Sequence, residues 1–360
     1  MTTSTESAVA AENTGRRRGG LLPLPTVGFG HFGISLGLSG LAGTWSVART
    51  ALGTSPWVAN VLWSSAAGTW LVLLALYGIG RRGRLSRLAS ELRHPVSGTS
   101  AALIPLVGSL LATHHALDMP VVARCAAGAF AGISLVIAVY LLSRWFTGEA
   151  GIAAVHPGYM VPTVAAPFVS SSALGSVGEH FAAEILFGVA LVAWGFIGAV
   201  VVCRLLLGDR LPTPLVPTLA ILLAPPAVGG ICWMNLNGDE PDPLAQTLVG
   251  VTVAMALVQV SLLGTYRRLP VSVAFWTFTF PVCSAVAFLL RWGAAEPFNG
   301  FRVVGTLMLG GVTLLVLVIA ALVTRSALKG TVQQHPGGGP SRAQPGSVMA
   351  GSAGGAGCRP

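Results

Sequence analysis

Charged residues are scarce in this sequence. Asp, Glu, Lys and Arg make up only 9% of the 360 residues, whereas soluble domains carry roughly 25%. Hydrophobic residues account for 53%, and apolar runs of about 18–25 residues recur through most of the chain. Each run is long enough to cross a hydrocarbon core of about 30 Å. The composition therefore excludes an ordinary soluble domain and predicts an all-α integral membrane protein.

Cysteine is also scarce, and its spacing excludes the usual cysteine chemistry. No two cysteines form a CxxC pair, and four of the five fall within apolar runs, where a cysteine is typically a small core residue. The positions are Cys125, Cys203, Cys232, Cys283 and Cys358. We expect no disulfide, no metal site and no cofactor.

The apolar runs predict ten transmembrane spans. Their approximate limits are 26–48, 56–79, 96–113, 120–143, 155–174, 181–206, 214–233, 244–265, 270–290 and 301–324. The polar and basic residues 1–20 form a predicted N-terminal tail, and residues 21–326 form one transmembrane domain. Residues 327–360 are rich in Gly, Pro and Ser, which predicts a disordered tail.

The few charges alternate between the loops. The loops after even-numbered spans contain arginines, beginning with Arg81 and Arg82, and the loops after odd-numbered spans contain Asp and Glu. Basic loops remain on the cytoplasmic side of a membrane. We therefore expect a multi-pass plasma-membrane protein with both termini cytoplasmic. The net charge of +9 reflects this topology and does not indicate nucleic-acid binding.

Proline and glycine divide the spans into two classes. Pro105, Pro167, Pro226 and Pro281 lie in spans three, five, seven and nine, and the even spans have no internal proline. Proline frees a backbone carbonyl and bends a helix, which a membrane tolerates only where protein or water satisfies the freed group. This predicts five helical hairpins in which kinked odd helices form an inner ring around a central pore. The even helices would form an outer, lipid-facing ring.

The first span uses glycine in place of proline, and it has two distinct faces. One face carries Gly33, Gly37 and Gly40, and the other carries His31, Ser35 and Ser39. Either face could meet the pore while the other packs against a neighbouring helix.

Three segments carry a family resemblance. HFGISLGLSGLAGTW at 31–45, PPAVGGICW at 225–233 and SVAFWTFTFP at 272–281 fall in spans one, seven and nine. Together they resemble the tellurite-resistance/dicarboxylate transporter family, which includes plant slow-type anion channels and bacterial tellurite-resistance permeases. The resemblance covers about residues 25–325. It implies a homotrimer with a pore in each subunit, and transport of small anions such as chloride, nitrate, sulfite, tellurite or four-carbon organic acids.

The resemblance also implies a pore plug, and here the sequence departs from the family. In the plant channel and its bacterial structural relative, the resemblance places a phenylalanine directly before the SVA-type segment, whereas this chain has Val271 there. Either the plug is absent, or a nearby aromatic such as Phe275 or Phe278 replaces it.

The predicted pore-lining and gate residues come from the odd spans. They are Phe32, Gly33, Ser35, Gly37, Pro105, Pro167, Pro226, Val271, Phe275 and Phe278. No acidic or basic side chain lies in the middle of an odd span, so we expect weak anion binding, fast passage and a preference for anions that lose water easily. Helix dipoles and basic loops would supply the positive potential.

Two other functions remain open at this point. A proton-coupled dicarboxylate carrier could use His31 as its protonation site, although a packed histidine is the simpler interpretation. A membrane enzyme could use the HHxxD segment at 114–118, but this is one residue short of the HHxxxD acyl-transfer motif. The expected partners are small anions, the lipid bilayer and two further copies of the chain.

Overall fold

The computed structural model describes residues 27–79, 85–149 and 151–333. All regular structure in these residues is helical, as expected. We number the ten main helices of this described part α1 to α10: Gly33–Leu52, Pro56–Ile79, Leu103–His114, Pro120–Phe146, Ala166–Ser176, His180–Leu207, Ala224–Leu236, Pro243–Ser261, Thr279–Ala295 and Phe301–Gln333. The predicted tail at 1–20 and the arginines at 81, 82 and 84 lie outside the described residues.

Seven segments are long and apolar enough to cross a membrane, which agrees with an integral membrane protein. They comprise α2, α4, α6, α8 and α10, together with α7 and α9 extended by the turns that precede them. Helix α1 has the required length, but its glycines, serines and Arg49 lower its mean hydropathy. Segment Thr99–His114 is shorter, and α5 has only 11 residues because the chain before it is not α-helical.

Each odd-numbered helix directly follows a tighter or wider helical segment. These segments are Phe29–Phe32, Thr99–Ala102, Val161–Ala165, Thr213–Leu223 and Val273–Phe278. The third has π-helical geometry and the others are 3₁₀-helical. No such segment directly precedes an even-numbered helix in the described part of the chain. The odd helices are thus discontinuous, and the break falls at the start of each α-helix.

The prolines explain this break. Pro105, Pro167, Pro226 and Pro281 all lie within the first turn of an odd α-helix, rather than kinking it in the middle. Backbone N–H groups in a first turn have no partner within the helix, so proline costs little there. Helix α1 begins at Gly33, the equivalent position, without a proline.

Packing also separates the two classes of helix. Within the most apolar windows, 67% of the α7 segment and 61% of the α9 segment are buried, compared with 17–28% for the even helices. Contacts connect α1 to α3, α3 to α5, α5 to α7, α7 to α9, and α9 back to α1. Each even helix contacts the odd helix that precedes it in the chain.

Helix α10 continues to Gln333, beyond the predicted end of the last span at 324. Its final turns therefore overlap the first residues of the predicted C-terminal tail. The remainder of that tail lies outside the described residues.

Candidate functional site

Two cavities meet at Phe280. The first, of about 370 Å³, lies where the odd α-helices begin, and Gly33, Leu103 and Ala224 line it. We call it the N-side cavity. The second, of about 350 Å³, lies toward the ends of the same helices, and we call it the C-side cavity. Phe280 lines both cavities and therefore lies between them.

The N-side cavity combines an apolar wall with hydroxyl groups, two histidines and one glutamate. Its polar side chains are His31, Glu91, Ser97, Thr99, Ser100, His156, Thr218 and Thr277. Near this wall the Tyr77 hydroxyl donates a hydrogen bond of 3.4 Å to Glu91 Oε2. The helix N-termini around the cavity direct the positive ends of their dipoles toward it.

The C-side cavity is lined by more polar side chains and one fixed positive charge. The polar members are Ser39, Thr44, Ser46, Thr113, His114, Ser172, Asn235, Ser284 and Arg291. Arg291 also lines a more open cleft of about 510 Å³, which shares Ser46 and Val47 with the cavity. We call this opening the C-side cleft.

Phe280 was not among the predicted pore residues. Its side chain is only 7% exposed and packs in the same apolar cluster as Leu36. Gly40 of α1 lies opposite, and a Cβ atom there would be 3.1 Å from Phe280 Cδ2. The sequence signal that could have found it is the aromatic side chain directly before Pro281, in the first turn of α9.

The glycine face of α1 packs closely on α9. A Cβ atom at Gly37 would overlap Thr279 Oγ1 and approach Trp276 Cε3 to 2.8 Å. On the other face, the hydroxyl of buried Ser35 donates to the Phe32 carbonyl, and that of Ser39 to the Ser35 carbonyl, both at 2.9 Å. The close approach of Thr279 and Trp276 to α1 explains why position 37 requires glycine.

Both faces nevertheless contribute to the cavities. Gly33 and His31 line the N-side cavity, while Gly40 and Ser39 line the C-side cavity. The sequence left open which face of α1 meets the pore, and in the structure residues from both faces line a cavity.

Most other predicted pore residues lie outside the linings of these two cavities. Phe32 is completely buried, with its ring centroid 6.1 Å from that of Tyr77. The three prolines Pro105, Pro167 and Pro226 are also buried. Their backbone geometry shapes the cavity walls, but their side chains do not line the cavities.

The three predicted gate residues precede α9 in the chain and belong to an apolar cluster that includes residues of α10. The Val271 carbonyl accepts a 3.3 Å hydrogen bond from the hydroxyl of Ser326 in α10. Phe275 and Phe278 contact each other at 5.6 Å between centroids, and Phe278 contacts Tyr266 at 4.7 Å. None of the three lines either cavity, although their apolar cluster also contains Val273 and Trp276, which line the N-side cavity.

The two histidine sites considered from the sequence lie in different cavities. His31 lines the N-side cavity, and its Nδ1 lies 3.2 Å from both the amide nitrogen and the carbonyl oxygen of Gly28. His114, from the HHxxD segment, stacks on Trp63 with centroids 4.7 Å apart and lines the C-side cavity. Within the described residues no group of three His, Cys, Asp or Glu side chains could hold a metal ion.

Comparison with known proteins gives a consistent result. The family model described as "SLAC1: Voltage-dependent anion channel" matches residues 26–324. The chain is 28% identical over 266 residues to the tellurite resistance protein TehA homolog of Haemophilus influenzae, covering 73% of this chain and 79% of the relative.

Two plant proteins are more distant. The S-type anion channel SLAH1 of Arabidopsis thaliana is 25% identical, covering 70% of this chain and 69% of its own length. The guard cell S-type anion channel SLAC1 of the same plant is 24% identical over a shorter region, covering 38% of this chain and 24% of its own length.

Proposed function

We propose a route for anions through this chain, which belongs to the SLAC1 voltage-dependent anion channel family and transports anions across a membrane. The family membership predicted from the three sequence segments is confirmed. The observation that carries the proposal is the alignment of the N-side cavity, Phe280 and the C-side cavity between the odd helices. Anions would pass from one cavity to the other when the Phe280 ring moves aside.

The start of the odd α-helices provides the anion preference. Gly33, Leu103 and Ala224 begin α-helices and line the N-side cavity. Each helix N-terminus carries a partial positive charge of roughly half an elementary charge. Such dipoles attract an anion without binding it as tightly as a fixed cation, which favours passage over retention.

The wider architecture follows from the same contacts. The odd helices would form an inner ring and the even helices an outer ring, giving ten spans arranged as five hairpins. The cyclic contacts of the odd helices and the higher burial of α7 and α9 support this arrangement. We place the C-side cleft outside the plasma membrane and both termini in the cytoplasm, because arginines favour the opposite loops.

Two further proposals rest on the family. We propose a homotrimer, in which each subunit has its own pathway and the exposed even helices meet lipid or a neighbouring subunit. We also propose that the chain is not an enzyme, because its relatives are named as channels and a resistance protein.

Reconstitution in liposomes tests the function. The full chain is placed in vesicles with an imposed chloride or nitrate gradient, and efflux is compared with that of protein-free vesicles. We expect flux of both anions, with nitrate at least as permeant as chloride, because nitrate loses its water more easily. Chloride flux far above nitrate flux would contradict a pathway without a strong site.

The same vesicles distinguish a channel from a proton-coupled carrier. We expect anion flux to be independent of an imposed pH gradient. Uptake of a four-carbon dicarboxylate that collapses when an uncoupler is added would instead support the carrier, with His31 of the N-side cavity as the first candidate for its proton site.

A further inference from the structure

Arg291 holds a position that the proposed pathway does not yet use. It lies near the end of α9, and its side chain lines both the C-side cavity and the C-side cleft. An anion moving between these two spaces would pass the guanidinium group. Among the residues that the structure describes, no other Lys or Arg lines either space.

The guanidinium group is fixed by two neighbours, Asn235 in the last turn of α7 and Asp239 in the connection to α8. Its Nε donates to Asp239 Oδ1, and its Nη1 donates to Asn235 Oδ1. The amide of Asn235 in turn donates to Ser172 Oγ at 3.2 Å. Nη2 has no hydrogen-bond partner among the described residues. The arginine is thus held at Nε and Nη1, and the Nη2 donors remain available.

Asp239 is a weakly held partner. Its side chain is 54% exposed, compared with 21% for Arg291. Its backbone has a positive φ of 68°, a conformation uncommon for residues with a side chain. Ion pairs this exposed contribute little to stability, so the carboxylate can be released at small cost.

From these observations we propose that Arg291 is an anion-binding residue at the C-side mouth, and that Asp239 competes with the anion for it. The ligand class is a small monovalent oxyanion, because two oxygens of such an anion can accept from the fork of a guanidinium group. When an oxyanion enters, it replaces Asp239 at Nε and accepts from Nε and Nη2 together, or it binds at Nη2 alone. This proposal rests on the proposed function.

The proposed competition predicts that two substitutions change the anion affinity in opposite directions. Removing the arginine weakens the anion site, whereas removing the negative charge of Asp239 strengthens it. If the pair only stabilised the fold, the two substitutions would act in the same direction, because both break the same contact. Opposite shifts are therefore specific to the proposal.

The test uses the full chain expressed in oocytes. External nitrate is titrated at fixed internal composition, and the half-saturating concentration of the outward current is measured. We expect Arg291→Gln to raise this concentration about tenfold, as for loss of one charge-assisted hydrogen bond. Asp239→Asn should lower this concentration about threefold, because the anion then no longer has to displace a carboxylate held by a weak, exposed ion pair.

Arg124→Gln is the matched control. Arg124 also pairs with an acidic residue, Glu179, at 3.3 Å, and the pair lies outside the linings of both cavities. We expect its half-saturating concentration to equal that of the wild type. Arg291→Lys keeps the charge without the fork, so it should raise the value for nitrate more than for chloride.

Four outcomes would overturn the proposal: shifts of Arg291→Gln and Asp239→Asn in the same direction, no shift in either, an equal shift in the control, or shifts seen only with cytoplasmic nitrate. If Arg291→Gln does not reach the cell surface, Asp239→Asn decides, since only a lowered value supports competition. Failure of the proposed function looks different, because the wild type would then carry no current above that of uninjected cells.

Discussion

The odd and even helices use similar apolar residues for different tasks. An even helix such as α4 runs for 27 residues without a break, and much of its surface is exposed. An odd helix such as α5 begins with a π-helical segment and a first-turn proline, and it is almost fully buried. Most residues that line the two cavities therefore come from the discontinuous helices and the segments before them, whereas the continuous helices contribute few, such as Trp63.

The largest expected effect on anion flux concerns the residue between the cavities. Replacing Phe280 with Ala removes the ring that separates the N-side and C-side cavities, and we expect anion flux to rise about tenfold, equivalent to ~1.4 kcal/mol of barrier. The measurement is chloride efflux from vesicles. Phe196→Ala, on an exposed surface of the even helix α6, is the control and should change nothing. Unchanged flux in Phe280→Ala would remove this residue from the pathway.

The second prediction compares glycines in the two classes of helix. Gly37→Ala in α1 forces a methyl group against Thr279 and Trp276, and overpacking of this kind costs about 1–3 kcal/mol. Gly128→Ala in α4 meets nothing within 4 Å and should leave stability equal or slightly higher. Thermal unfolding in detergent measures both. Equal stability of the two variants would contradict close packing of α1 on α9.

The third prediction concerns the joint between α7 and α8. Asp242 caps α8 by accepting from the Ala245 amide at 2.8 Å, and it also accepts from Trp233 Nε1 of α7 at 2.9 Å. We expect Asp242→Ala to cost about 1 kcal/mol at pH 7. Asp209→Ala, in a loop, has no comparable capping role and serves as the control.

The effect of Asp242 should depend on pH. The Ala245 N–H hydrogen bond lowers the pKa of this carboxyl below its ordinary value of 3.8. The contribution is therefore complete above 3.8 and is lost as the pH falls through the lower folded value. Unfolding measured from pH 7 downward should show the difference between wild type and Asp242→Ala closing only below that range. A difference that closes already near pH 6 would exclude this cap as its cause.

The smallest expected effect on anion flux is at Val271, where the family resemblance predicts a plug. Val271 packs in a cluster with residues of α10 and does not line either cavity. We expect Val271→Phe to change anion flux by less than about twofold, since a ring there would not enter the pathway. A large reduction in the vesicle assay would mean that Val271 faces the pathway after all.

The fold class could be predicted because its signals are local. The scarcity of charge and the length of the apolar runs require a membrane, and prolines confined to alternate spans separate the two classes of helix. The position of the break could not be predicted as well. Proline was expected to bend the middle of a span, whereas Pro105 and Pro281 mark the change from 3₁₀- to α-helix.

The site was harder to predict, because it depends on which side of α9 faces inward. Phe275, Phe278 and Phe280 are chemically alike and lie within six residues of the same segment. A 3₁₀-helix turns by about 120° per residue and an α-helix by about 100°. The change between them at Thr279 therefore alters which residues share a face, and no periodic pattern in the sequence reports this.

The amino-acid sequence was sufficient to predict three properties: the membrane location, the two kinds of helix and the family. These properties depend on composition, spacing and short segments, all of which are local. Only the tertiary structure placed Phe280 between two cavities and Arg291 beside Asp239, because the residues that surround each of them come from helices far apart in the chain. Side-chain contacts across α1, α7 and α9 form this arrangement, and they exist only once these helices have packed.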